Sequence, residues 1–394
     1  MEDFFKRTWC EIDLDEIKHN FCEVRRLVKK DTKVMSVVKA DAYGHGVKYV
    51  ARQLEKIGTD WFAVSNLEEA IQLRKYGIKK PILILGYTPN DMISKVYEYD
   101  LSQTILSYEY GKKVIEECKK AGIKIKIHFK IDTGMNRIGF ICRNGNEYEE
   151  SAKKIKELFE SKELISEGIF THFSSADNLS DSDYTKMQFN NFMEVINRLE
   201  LIGVKFGLRH CCNSAGIINY PEMHLDMVRA GIILYGLKPS DGIARNINIS
   251  PVMSLKTVVS QIKDLPKGSS VSYCRKYVSD KDIKVATVPI GYADGYSTKF
   301  SNKSFMLVRG KRVNVIGRVC MDQLMLDVSG INDVCQGDIV TVFGRDEKHC
   351  IFVDELAGYM DSISYEIVCL IGKRVPRLYI SDGNIIAKTN YIHN

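Results

Sequence analysis

A lysine at residue 39 follows two valines in "VVKADAYGHG" (residues 37–46), after which the chain turns small, polar and glycine-rich. Its ammonium is either a solvated charge closing a strand or a nucleophile at a pocket rim. In apolar surroundings a lysine can shed its proton and condense with a carbonyl to a Schiff base. Tyr43 is either packing or a hydroxyl placed among glycines to reach a ligand. Other reactive residues follow apolar runs in the same way. Asp132-Thr133-Gly134-Met135-Asn136-Arg137 follows "IKIHFKI", His172 follows "SEGIFT", Asn213-Ser214 follow "FGLRHCC", and Arg229 lies in "LDMVRA". Any one of these reads as structural, His172 equally well as a core imidazole. Their recurrence at run ends favours a shared site.

Eight short runs have strand character: "VMSVVK", "WFAVS", "PILIL", "SQTILS", "IKIHFKID", "SEGIFTHF", "FGLRHCC" and "LDMVRA". Amphipathic stretches such as "LEEAIQLRKYG" and "YGKKVIEECKKAG" lie between them and stop on Gly77 and Gly122. Strictly alternating strands and helices predict an α/β fold, a (β/α)8 TIM-like barrel, with a doubly wound sheet as the competitor. In a barrel the site lies at the C-terminal ends of the strands. That rim collects Lys39, Arg137, His172, Asn213, Ser214 and Arg229. Ser214 and the amides of Gly231 and Ile232 follow the last two strands, where barrels often bind phosphate.

A helix, "DLDEIKHNFCEVRRLV", precedes the first barrel strand, and the alternating "WCEIDL" before it reads as a strand outside the barrel. Past "YGLKPSDG" the texture becomes mostly β, with a tight hairpin at "VRGKRV" and one helical candidate at "VDELAGYM". The expected domains are a barrel over 1–243 and a β-rich domain over 244–394, the first twelve or so residues pairing with the latter.

The 394 residues are 45% apolar and 27% charged, with a net charge of +6 and no basic block. That balance argues against nucleic-acid binding and suits a small anionic ligand. Eleven cysteines without a CxxC pair suggest free thiols in a reducing cytoplasm. The N-terminus lacks the apolar core of a signal peptide, and no run is long enough to span a membrane. His210-Cys211 lacks the further ligands a metal would need, so no metal is expected.

"VVKADAYGHG" resembles the cofactor-lysine signature of the alanine racemases, barrel-type enzymes that use pyridoxal 5'-phosphate. The resemblance runs in order through "KIDTGMNRIGF", "THFSSAD", "NSAG", "MVRAGIILYG", "VSYCRKY", "IGYADGY", "GRVCMDQ" and "ISYEI". It implies that Lys39 carries the cofactor as a Schiff base, and that Tyr43, Ser214, Gly231, Ile232 and Tyr365 hold its phosphate. Arg229 would face the pyridine nitrogen, with His172 behind it and Asn213 in support. Tyr273 would be the second base and Arg137 its orienting partner. Met321 would offer an amide to the substrate carboxylate, between Cys320 and Asp322. Lys130 is often carbamylated in this family and braces the arginine corresponding to Arg137. The implied protein is a cytoplasmic homodimer with active sites shared between chains, interconverting L- and D-alanine for peptidoglycan.

Racemisation needs an acid/base on each face of a planar carbanion, which Lys39 and Tyr273 would supply. An arginine can only donate, so the nitrogen facing Arg229 stays unprotonated and the carbanion short-lived. Three other readings compete. A barrel-type decarboxylase of basic amino acids would place glutamate at the pyridine nitrogen and carry a glycine-triplet phosphate loop. A non-catalytic carrier of the cofactor would lack the β-rich half. A serine or broad-specificity racemase would keep the chemistry, although Tyr365 at the pocket wall favours a methyl side chain. Asn136, where glycine is common, and the second cysteine of "HCCNSAG" are the departures from the family pattern.

Overall fold

The structure, a computed structural model, describes residues 6–240, 242–243, 246–346 and 349–392. The first five residues and residue 244, where the second domain was expected to begin, lie outside these. The chain divides into two compact units, one of residues 18–42 and 47–249 and the other of residues 1–17, 43–46 and 250–394.

The first unit holds eight parallel strands: Lys33–Val37 (β1), Trp61–Val64 (β2), Ile82–Ile84 (β3), Ser102–Ile105 (β4), Ile125–Asp132 (β5), Leu164–Phe170 (β6), Leu208–His210 (β7) and Met227–Ala230 (β8). Sequential neighbours pair from β1 to β7, and β8 returns to β1 through Arg229 opposite Met35. Between β7 and β8 two backbone bonds bridge the gap, Asp226 N to Arg209 O at 3.2 Å and Arg229 N to Cys212 O at 3.0 Å. The result is a nearly closed barrel. β2, β3 and β4 are buried at every residue, as strands covered on both faces must be. Side-chain caps start the intervening helices: Asn66 accepts from Glu69 N before Leu67–Lys75, and Ser107 accepts from Tyr110 N before Tyr108–Ala121. Gly122, at φ 65°, ends the latter.

In the second unit the strand Thr8–Asp13 lies between Met253–Val258, antiparallel, and Arg377–Ser381, parallel. Phe305–Val308 and Lys311–Ile316 form the expected hairpin, with Arg309 and Gly310 at φ 50° and 73°. Two consecutive positive φ values fit the strand twist. Alongside the helix Val353–Met360 stands a second one, Ser364–Cys369, which carries Tyr365. Six residues are too few for periodicity to reveal it.

Candidate active site

β1 ends at Val37 and Lys39 begins a turn instead of ending the strand. Ala40, Asp41, Ala42 and Tyr43 then take φ of 53°, 54°, 55° and 52°, a left-handed turn built without glycine. That conformation costs about 1–2 kcal/mol per residue, so neighbouring groups must impose it. Ala40 N donates to Glu69 Oε1 at 2.7 Å, and Glu69 Oε2 accepts from Ser65 N at 2.7 Å, which joins the ends of β1 and β2. Asp41 Oδ1 accepts from Val47 N at 2.8 Å, where the next helix starts.

Arg229, the penultimate residue of β8, is 3% exposed. Its Nη1 donates to His210 Nδ1 at 3.0 Å and His210 O at 3.2 Å. Its Nη2 reaches Thr171 O at 2.9 Å, Cys211 O at 2.9 Å and His172 Nδ1 at 3.1 Å. A guanidinium cannot accept, so both imidazoles carry their hydrogen on Nε2. His210 Nε2 then donates to His128 Nδ1 at 3.0 Å, and His128 Nε2 stands 3.8 Å from Glu167 Oε2. Burial and the Arg229 charge hold all three rings neutral, His128 down to about 3 and the others well below the usual range. His172 follows β6 by two residues.

Lys130, on β5, is 2% exposed and donates to Ile131 O at 2.6 Å. Burial lowers it to about 7 against the pull of Asp132, with Arg229 and Arg137 adding to the fall. Arg137 is exposed on the loop after β5, yet its charge also bears on His172 and Arg229. In that loop Asp132 Oδ1 accepts from Gly134 N and Asn136 N, both at 3.0 Å. Asn136 sits at φ 57°, which asparagine tolerates, so its departure from glycine is harmless. Asn213 caps the helix Ser214–Asn219, and Ser214 Oγ accepts from Gly231 N at 3.0 Å, just before the buried Ile232.

The barrel mouth thus brings together Lys39, Lys130, Arg137, His172 and Arg229. His128 and His210, behind Arg229, were not expected there. Their signal was available: His128 and Lys130 lie two apart on one strand and so share a face.

The β-rich unit holds the remaining candidates. Tyr273 is 67% exposed, on a tight turn where Ser272 and Cys274 take φ of 67° and 60°. Val271 anchors that turn in a cluster with Ile283, Val285 and Ile316. Ser272 Oγ donates to Arg318 O at 2.6 Å and lies 3.4 Å from Cys320 Sγ. Tyr273, Cys320, Met321 and Asp322 share a cavity of about 420 Å³. Tyr43 and Tyr365 pack with ring centroids 6.1 Å apart.

Two family models cover most of the chain: "Alanine racemase, N-terminal domain" over residues 12–239 and "Alanine racemase, C-terminal domain" over residues 252–379. "Alanine racemase 1" of Caldanaerobacter subterraneus subsp. tengcongensis is 42% identical over 390 residues, 99% of each chain. A solved alanine racemase of Clostridium difficile 630 superposes with a TM-score of 0.93 at 39% identity, covering 99% of this chain and 100% of that one. A histidine racemase of Leuconostoc mesenteroides subsp. sake reaches 0.86 at 28% identity, covering 96% of this chain and 100% of that one. With both family models matched and a full-length relative this similar, the chain belongs to the alanine racemase family.

Proposed function

We propose that this chain is a pyridoxal-phosphate-dependent alanine racemase, an isomerase that interconverts L- and D-alanine and supplies D-alanine for peptidoglycan. Arg229 carries the reading. Among the described residues its Nη donors all have acceptors and its Nε–H has none. One uncommitted donor on a buried cation suits an unprotonated pyridine nitrogen. A carboxylate, as in the decarboxylase reading, would instead protonate that nitrogen. Ser214, Gly231 and Ile232, which the bond from Gly231 N to Ser214 Oγ holds together, would supply a hydroxyl and amides suited to a phosphate, and Tyr43 and Tyr365 would add hydroxyls.

Pyridoxal phosphate would be held through Lys39 and, once the amine of the amino acid takes the lysine's place and frees Lys39 Nζ, would withdraw electrons so that the α-proton can leave. Lys39 Nζ takes or returns that proton on one face and Tyr273 Oη on the other. Arg137 orients the tyrosine and the substrate. Met321 N–H holds the carboxylate, flanked by Cys320 and Asp322. Neutral His172 and His210 fix Arg229 without adding charge. Lys130 Nζ, partly neutral near pH 7, adds to the carbon of CO2 and releases a proton to solvent. The resulting carbamate anion sits among Arg137 and Arg229 and braces the former. Lys39 and Tyr273 belong to different compact units. We place them opposite each other across a homodimer, each chain completing its partner's site. The working compartment is the cytoplasm, where the eleven cysteines persist as thiols.

A racemase discharges the circular dichroism of L-alanine without net chemical change. Lys39→Ala should abolish that discharge, and borohydride reduction with peptide mapping should place the cofactor on Lys39. Attachment at any other lysine would refute the assignment. The histidine racemase has this fold with another substrate, so the assay should span a panel of L-amino acids.

A further inference from the structure

Beside the cavity that holds Tyr273 and Met321 lies an ion cluster built around one buried carboxylate, with no part in the proton transfers. Asp294 is fully buried. Arg374 grips it with Nε on Oδ1 at 2.8 Å and Nη2 on Oδ2 at 3.1 Å, and Arg7 grips it from another side. The same Nη2 reaches outward to Asp322 Oδ1 at 2.7 Å. Arg374 therefore ties a half-exposed carboxylate on the cavity wall to an anchored one.

The backbone gives this tie a direction. Tyr292 N donates to Cys320 O at 3.0 Å, and Ala293 N donates to Met321 O at 3.1 Å. No peptide bond among the described residues is cis. In a trans peptide the N–H points opposite to the carbonyl. The amides of Met321 and Asp322 are thus both turned away from the 291–294 loop. A side chain on residue 291 would prevent this docking, since its Cβ would stand 2.3 Å from Cys320 O and 2.4 Å from Met321 O. Asp294 Oδ2 also accepts from Gly291 N at 3.0 Å, so one carboxylate holds both the loop and the clamp.

We infer that the Asp294–Arg374–Asp322 bridge is a positioning device that aims the Met321 amide, with the Asp322 amide beside it, at the substrate's carboxylate. Arg374 and Asp322 act through the backbone and do not touch the reacting atoms. The inference rests on the reading of Met321 as the carboxylate ligand.

The test uses the holoenzyme and three small molecules. Propionate keeps the carboxylate and lacks the amine, ethylamine keeps the amine and lacks the carboxylate, and alanine has both. Asp322→Ala breaks the outer arm and leaves Asp294 with both arginines. KM for alanine and Ki for propionate should rise together, about five- to tenfold, as expected when a binding group is displaced by a fraction of an ångström. Most of the loss should fall on KM and little on kcat, while the dissociation constant of ethylamine stays within twofold. Arg374→Lys keeps the charge and loses the fork, and should shift the same two constants by a smaller factor. An unmoved propionate Ki in Asp322→Ala, or equal weakening of ethylamine, would overturn the clamp. If the unaltered holoenzyme racemises alanine but propionate does not compete, the carboxylate reading of Met321 fails, and the clamp with it.

Discussion

Lys130 and Arg229 are two cations buried in one barrel mouth, and they meet that cost differently. Arg229 stays charged by bonding three carbonyls and two imidazoles. Lys130 has one carbonyl and gives up its proton near pH 7. An unfolded lysine holds its proton to about 10.4. Between these values the unfolded chain binds the extra proton, so stability climbs as pH rises from about 7 and levels off near 10.4. The full span is on the order of 4–5 kcal/mol. Urea unfolding at several pH values in CO2-free buffer should show this climb. Bicarbonate should flatten it, because the carbamate no longer titrates there, and ¹³C-bicarbonate should give a carbamate resonance absent from Lys130→Ala. A slope indifferent to bicarbonate would mean that Lys130 remains an amine.

At the scale of elements, the left-handed turn is the part that propensity could not reveal. Ala-Asp-Ala-Tyr reads as ordinary helix or loop. Its shape is imposed by Glu69, distant in the chain, and by the bond from Val47 N to Asp41. Gly44, at φ 79°, closes the turn, and a Cβ there would stand 2.3 Å from Val368 O. Gly44→Ala should therefore cost at least about 3 kcal/mol in unfolding free energy, combining backbone strain with a clash against main chain. A loss under about 1 kcal/mol would show that the segment yields. The barrel strands were legible because each is a short apolar run bounded by turn residues, and the hairpin because its glycine falls midway. Lys39 and His172 lie two residues past their strands, each just beyond a last inter-strand bond, from Val38 N to Ala63 O and from Thr171 N to His210 O. The imidazole chain was missed because its members come from strands far apart in sequence, each ordinary when taken alone. The helix under Tyr365 was too short to show a period.

For the whole molecule, the path of the chain matters more than its two-part division. It begins with the β-rich unit, enters the barrel, returns for residues 43–46, and leaves the barrel again only after residue 249. Lys39 and Tyr43 are four residues apart and belong to different units. If active sites are shared in the dimer, Lys39→Ala and Tyr273→Phe homodimers should each be badly impaired, and mixing them should restore activity. Each mixed dimer would then have one site with both native bases and one with neither. Activity that stays at the mutants' own level after proven subunit exchange would place both bases in one chain. The barrel itself has an uneven wall. Seven of its eight joints are strand ladders, while β7 and β8 share the two bridging backbone bonds at Asp226 and Arg229. A cylinder with one lightly stitched side opens there first, so amide hydrogen exchange at Asp226 and Arg229 should outpace that at Phe129 in the middle of a ladder. Arg229 lies on that side. Breathing of the wall and loosening of Arg229, the donor proposed to face the pyridine, are then one motion, and a ligand that engages Arg229 should slow exchange along the whole seam.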